Sequence, residues 1–252
     1  GIYGCTICNH HFPCSHVDCG IEAAAATQGN STGDSIVEKR LAIRFLTAAE
    51  RFAHDHLLAG ASSMRICFVV DYYPPHVGGG EVFVSKVAEG LARRGNECMV
   101  ITARTDPRAA KLEQGKNLTI MRVGSPLFSS RFVFSILAVP KIVTAARDCD
   151  VIHGASYGGA APAFIAAKLL RKKCIFMVYE FMGGMWGSLE PNWVKSFFYR
   201  AAERTIAHLQ FDRFVAISRY TRNCLRLFGI PDSRLDIVYG GKSDEILRAK
   251  RS

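Results

Sequence analysis

Long apolar runs are missing from this chain of 252 residues. No stretch reaches the ~18–20 residues needed to cross a bilayer. The nearest candidate, residues 132–139, is short and runs into Pro140. An N-terminal signal pattern is also absent, which bears on the nine cysteines. Without a secretory leader they are expected to be free thiols in a reducing compartment, so the expected location is cytoplasmic. Two nucleotide loops are lacking as well. A dinucleotide turn needs a tight G-x-G-x-x-G between strand and helix, and a P-loop needs G-K-[ST] after its glycines. Neither spacing occurs, so a nicotinamide dehydrogenase and a P-loop triphosphatase are disfavoured. A nucleotide-sugar epimerase is disfavoured too, because no tight glycine turn with a Tyr-x3-Lys pair stands at the expected places. Internal repeats and low-complexity tracts are absent.

What is present suits one large domain, or one domain with an appendage: 49% of residues are apolar, enough for a sizeable core. Charge is uneven. Residues 1–63 carry a net −2 and the remainder +12. A basic domain suits phosphorylated ligands, anionic lipid surfaces or nucleic acid. The composition changes near 59–64. Before it lies a head in which Cys5, Cys8, Cys14 and Cys19 are interleaved with His10, His11 and His16. Thiolates and imidazoles at such spacing suit a structural zinc site; the competing reading is a remnant with reduced thiols. The head is slightly acidic, which argues against nucleic acid as its partner. A helix is then expected to open at Ser35, with Glu38 completing a capping box and Leu41, Phe45, Ala48, Ala49 and Phe52 on one face.

From Met64 the pattern alternates strand and helix. Strands are expected at 65–70, 97–102, 118–123, 151–153, 174–178, 213–217 and 235–238. Helices are expected at about 81–94, 132–148, 159–170, 193–210 and 219–228. Gly95 and Gly229 stand where a glycine ends a helix. Continuous apolar strands between amphipathic helices predict an α/β fold, a Rossmann-like parallel sheet with helices on both faces. In such sheets the ligand crevice lies outside the carboxyl ends of the strands. The stretch ICFVVDYYPPHVGGGE at 66–81 fits that position: an apolar strand ending at Asp71, a proline-containing loop, then Gly78, Gly79 and Gly80 before Glu81. Free N–H groups and the positive end of a helix dipole make such a junction an anion site.

The motif P-x-x-G-G-x-E at 75–81, followed by VFVSKVAEGLARRGNECMVITAR, resembles the opening of the retaining glycosyltransferases of family 4, which have the GT-B fold. The segment DRFVAISRYTRNCLRLFGIPDSRLDIVYGG at 212–241 is similar to the one that closes the family's first domain. Asn96 and Cys98 replace the usual His and Val, and Gly240, Gly241, Lys242 and Ser243 replace the family's N-G-x-D. The resemblance implies two Rossmann-like domains facing a cleft, the first holding mainly the acceptor and the second the nucleotide sugar. It divides the chain into a head at 1–63 (the tail of another module or an upstream stretch), an acceptor-side domain at 64–241 and a tail at 242–252, with the donor-binding domain missing and the fragment inactive alone. The reaction implied is transfer of a sugar from a nucleotide-diphosphate donor to a hydroxyl acceptor, lipid-linked or a polysaccharide precursor, with retention and without a cofactor. The rival reading is a non-catalytic, phospholigand-binding Rossmann-like module with a zinc-stabilised head.

The resemblance also points to residues. Many members read H-x-H where this chain has His153 and Ala155, and H-D or H-E where it has Tyr179 and Glu180. His153 and Glu180 are the candidate catalytic residues, Glu180 as a carboxylate able to bind acceptor hydroxyls or act as a base. Gly78, Gly79, Gly80, Glu81 and Tyr179 are candidate substrate contacts. Tryptophan is scarce: Trp186 and Trp193 are the two in the chain. Trp186 is expected to face the site and Trp193 to pack in the core. Ser218 is expected to cap a helix, with Arg219 beside it adding positive charge to the cleft. Peripheral association with an anionic membrane surface is a further expectation, drawn from Arg131, Phe132, Phe134, Lys141 and Arg147 and from Lys168 and the basic run 171–173.

Overall fold

The computed structural model describes residues 63–124 and 131–239. The zinc candidates Cys5, Cys8, Cys14 and Cys19, the helix expected from Ser35 and the departure at 240–243 lie outside the described residues.

Eight strands form one sheet: β1 (Arg65–Val70), β2 (Glu97–Ala103), β3 (Leu112–Gly115), β4 (Leu118–Val123), β5 (Val151–Ala155), β6 (Lys173–Val178), β7 (Arg213–Ala216) and β8 (Leu235–Ile237). Their order is β3-β4-β2-β1-β5-β6-β7-β8. All neighbours run parallel except β3 with β4. The helices are α1 (Gly79–Arg93), α2 (Arg131–Ala145), α3 (Ser156–Leu170), the single turn α4 (Trp186–Leu189), α5 (Trp193–His208) and α6 (Arg219–Leu227). The sheet reverses its winding between β1 and β5, and this switch point is where such sheets open a ligand crevice.

The sequence explains the layering. In β1 every residue after Arg65 is buried, as a strand covered on both faces requires. Ile66, Phe68 and Val70 meet Val84, Ala88 and Ala92 of α1 in one apolar layer. Cys67 and Val69 join the other, with Phe134, Ala138 and Ile142 of α2 and the alanines of α3. A fully buried phenylalanine such as Phe68, Phe176 or Phe214 contributes about 1.5–3 kcal/mol. α3 is rich in Gly and Ala because it lies almost against β1: a Cβ on Gly159 would collide with the Val69 carbonyl oxygen. A volume-adding change there has no room to relax.

The edge strand β3 is an addition to the expected set. Its residues LEQG are all exposed and show no apolar alternation, so the period that marks a half-buried strand is absent. It matters for the site through Arg122 of β4, whose side chain is buried. Arg122 Nη1 donates to Glu113 Oε1 at 2.6 Å and to the Ala110 carbonyl at 3.0 Å, while Nη2 donates to the Pro74 carbonyl at 2.7 Å. The proline loop that leads to the glycines is thereby tied to the sheet edge. Trp193 corrects another expectation. It is 79% exposed, because the N-cap Asn192, accepting from the backbone N–H of Val194 and Lys195, opens α5 on the surface.

No helix among the described residues is long and apolar enough to cross a membrane. The described cysteines, Cys67, Cys98, Cys149, Cys174 and Cys224, are all free thiols.

Candidate active site at the switch point

β1 ends at Val70 and hands over to Asp71, which is buried at 3% exposure. β5 ends at Ala155 and hands over to Ser156, which takes φ +63° in starting α3. The Ser156 hydroxyl donates to Asp71 Oδ1. The Asp71 carbonyl in turn accepts from Thr102 Oγ1 at 3.4 Å and from Ala103 N–H at 3.2 Å. The carboxyl ends of β2, β1 and β5 are thus bound together under the crevice.

Above them lies a cavity of about 360 Å³. One wall is the first turn of α1, with Gly79, Gly80 and Glu81; the other is the end of β6, with Tyr179, Glu180 and Phe181. The N-cap of α1 is Gly78, in extended backbone and with no side-chain cap. The first N–H groups of a helix have no partner within it, and here no capping side chain takes them. The three glycines divide the work. A Cβ on Gly80 would stand 3.1 Å from the Tyr179 ring, so Gly80 lets the two walls pack. A Cβ on Gly78 would collide with the Glu81 carboxylate, which folds back over the cap and lies 3.3 Å from His76 Nδ1. Gly79 alone faces open space.

Tyr179 presents a buried hydroxyl with no hydrogen-bond partner among the described residues. Burial, followed by the charges of Glu81 and Asp71, raises its pKa far above the phenol range. The group stays protonated and is a donor. Its ring meets Phe83 edge-on at 6.0 Å.

The loop after β6 is held by a residue not singled out in the sequence. Glu203 of α5 is fully buried. Its Oε1 accepts from Tyr157 Oη at 2.8 Å, Met182 N–H at 2.7 Å and Trp186 Nε1 at 2.8 Å; its Oε2 accepts from Gly183 N–H at 2.7 Å. The Tyr157 hydroxyl also lies 3.2 Å from the Glu180 carbonyl, and its ring stacks on Phe181. The signal was its helical phase: Ser196, Glu203 and Ile206 are the buried positions of α5, and a carboxylate on a core stripe needs donors.

The candidate residues separate accordingly. Gly79, Gly80, Glu81, Tyr179 and Glu180 come together on the cavity. Gly78 stands just outside it as the cap. His153, the third residue of β5, is not on the cavity wall. It is buried in the sheet 5.0 Å from the Phe68 ring, its Nδ1 makes no hydrogen bond among the described residues, and burial pushes its pKa down to about 4. Trp186 is turned to Glu203 and stacks on Tyr199 at 4.5 Å. Ser218 caps α6, accepting from Thr221 N–H at 3.0 Å, and Arg219 Nε donates to Tyr239 Oη at 3.1 Å; neither lines the cavity. Asp71, Ser156, Tyr157 and Phe181 are among the cavity residues that the sequence did not mark as site candidates. Among the described residues no group of three or more His, Cys, Asp or Glu side chains is placed to hold a metal ion.

The family model of Glycosyltransferase Family 4 matches residues 77–244. The chain belongs to Glycosyltransferase Family 4. The same stretch contains the cavity's glycine wall and its Tyr179–Phe181 wall, and membership does not favour a non-catalytic module. Solved structures agree on the fold. Sucrose-phosphate synthase from Thermosynechococcus elongatus superposes with a TM-score of 0.54 at 16% identity, over 71% of this chain and 49% of that one. A second structure of that synthase gives 0.52 at 14% identity, over 74% of this chain and 94% of the other. The apo form of the lipopolysaccharide outer core galactosyltransferase WaaB gives 0.50 at 16% identity, over 71% and 46%. The described residues have the Rossmann-like N-terminal fold of GT-B glycosyltransferases, and the chain spans about half the length of the first synthase structure it matches. No curated protein matches the chain.

Proposed function

We propose that this chain supplies the acceptor-side half of a retaining glycosyltransferase, which moves a sugar from a nucleotide-diphosphate donor to a hydroxyl acceptor. The observation that carries this reading is the α1 N-terminus. Gly78 caps it without a side chain, and Gly79 faces the open cavity at the switch point. Backbone N–H groups at a helix start favour an anion, and the site has room for a diphosphate. Fixed dipoles of this kind stabilise charge as it develops on a leaving group. In the proposed step the bond from the sugar's anomeric carbon to the leaving phosphate oxygen breaks. A bond from the acceptor oxygen to the same face of that carbon forms, and the acceptor's proton passes to the departing phosphate. No side chain need act as nucleophile. Tyr179 donates a hydrogen bond, and Glu180 accepts one from an acceptor hydroxyl.

Donor recognition belongs in this reading to a second domain, so residues 1–252 alone are expected to transfer little or no sugar. Metal is not required, and transfer by the complete enzyme is expected to persist in chelator. Calorimetric titration with pyrophosphate and with nucleotide-diphosphate sugars tests the α1 site. Gly79→Val fills open space without touching packed atoms, so it should leave Tm unchanged and weaken anion binding roughly tenfold or more. Undiminished binding in that variant, or no anion binding by the parent chain, would overturn the assignment.

A further inference from the structure

The N-terminal half of α5 and the turn before it expose a continuous set of large apolar side chains. Trp193 is 79% exposed, Phe198 61%, Phe197 57% and Leu189 53%, with Val194 and Met185 beside them. A domain of this kind rarely leaves two phenylalanines and a tryptophan in water on adjacent turns, and such clusters mark an interaction surface. The helical wheel separates two faces. Ser196, Glu203 and Ile206 point to the core, while Trp193, Val194, Phe197 and Phe198 share the outward side. Around and beyond them on the same helix stand Lys195, Arg200 and Arg204, all exposed, with no carboxylate within ion-pair distance among the described residues.

From this surface we infer that α5 docks the protein on an anionic lipid bilayer. Aromatic side chains inserted at the headgroup level, rimmed by unpaired cations, are the combination that binds such a surface. A second copy of the chain fits less well, since a two-fold contact through this face would bring together two cationic rims, each made of Lys195, Arg200 and Arg204. The stretches marked in the sequence are weaker candidates. On α2 and α3, Ile136 and Leu169 are exposed, but Phe134 is buried and Lys168 lies over the Phe164 ring at 5.2 Å. The loop that carries Met185 and Leu189 also contributes Glu180 and Phe181 to the cavity. Docking would therefore hold one cavity wall next to the headgroups. The docking surface stands independently of the transfer reading, and either can fail alone.

Co-sedimentation of the 252-residue chain with vesicles of phosphatidylcholine, alone or mixed with phosphatidylglycerol, tests it. Binding is expected only to the mixed vesicles, with a blue shift in tryptophan emission that is lost in Trp193→Ser. The double variant Phe197→Ser/Phe198→Ser changes exposed positions, so it should keep its circular dichroism and Tm while losing roughly tenfold or more in vesicle affinity. The inference fails if neither vesicle is bound, or if the double variant binds as well as the parent. It also fails if sedimentation equilibrium shows the face buried in a dimer that the double variant abolishes.

Discussion

His153 illustrates how one side chain sets a pH window. Its folded-state pKa is depressed to about 4 by burial, against about 6.5 when unfolded. Between those values the unfolded chain binds the proton and the folded chain does not. The stability tied to a neutral His153 is therefore fully present above about pH 6.5 and is lost progressively as pH falls toward 4, to a total of roughly 3 kcal/mol. His153→Leu should flatten the fall in Tm across this range while changing stability little at pH 7.5. Thermal melts of both proteins at pH 4.5, 5.5 and 7.5 decide it; parallel curves would remove His153 as the cause. Tyr179 is the opposite case. Its raised pKa leaves it protonated at every ordinary pH, so it adds no pH dependence of its own to ligand binding.

At the scale of elements, Glu203 decides the shape of the loop between β6 and α5. In Glu203→Gln the carboxamide can still accept at one atom, but its NH2 group then faces an N–H donor. The expected loss is about 1–3 kcal/mol, with altered emission from Trp186, whose indole N–H is bound there at 2.8 Å. Urea denaturation followed by fluorescence gives both readings, and an unchanged midpoint and spectrum would show that the loop is held by other contacts. This element also shows what could be read in advance. The buried strands announced themselves as apolar runs, and every expected strand is present with its boundaries close to those observed. β3 did not, because an exposed edge has no reason to be apolar. α1 and α3 start earlier than expected because Gly79 and Ser156 begin helices by backbone geometry rather than by a favoured cap. The crevice position, outside the carboxyl ends of the strands, was legible. The partners of Glu203 were not, since they are joined only by tertiary packing. Trp193 misled because aromatic residues are core residues on average, and this one sits on an apolar surface.

For the whole molecule, two features bear on handling and assay. The described cysteines are free, and Cys67, Cys98 and Cys174 are buried. Burial first, then Cys149, pushes the Cys98 pKa up to about 12. Burial first, then Asp212, raises Cys174, while Cys67 is raised first by its hydrogen bond with Cys149. Thiolates are the reactive form, so iodoacetamide at pH 7.5 should leave these three unlabelled in the native protein and label them once denaturant is added. Peptide mass mapping checks this, and rapid native labelling of any of them would show that the sheet opens locally. The net charge of +10 adds a long-range pull toward anions that salt screens beyond about 8–10 Å. Binding measurements on this chain are thus comparable only at matched ionic strength.

Ser156 faces two requirements that do not agree. Its φ of +63° is a conformation that suits glycine and penalises branched side chains. The hydroxyl it gives to Asp71 is something glycine lacks. Threonine would keep the oxygen and strain the backbone; glycine would keep the backbone and remove the side-chain tie between the ends of two strands beneath the crevice. Few residue types combine a left-handed backbone with a short polar side chain, so whatever is recognised above this point of the sheet rests on a floor that tolerates little substitution.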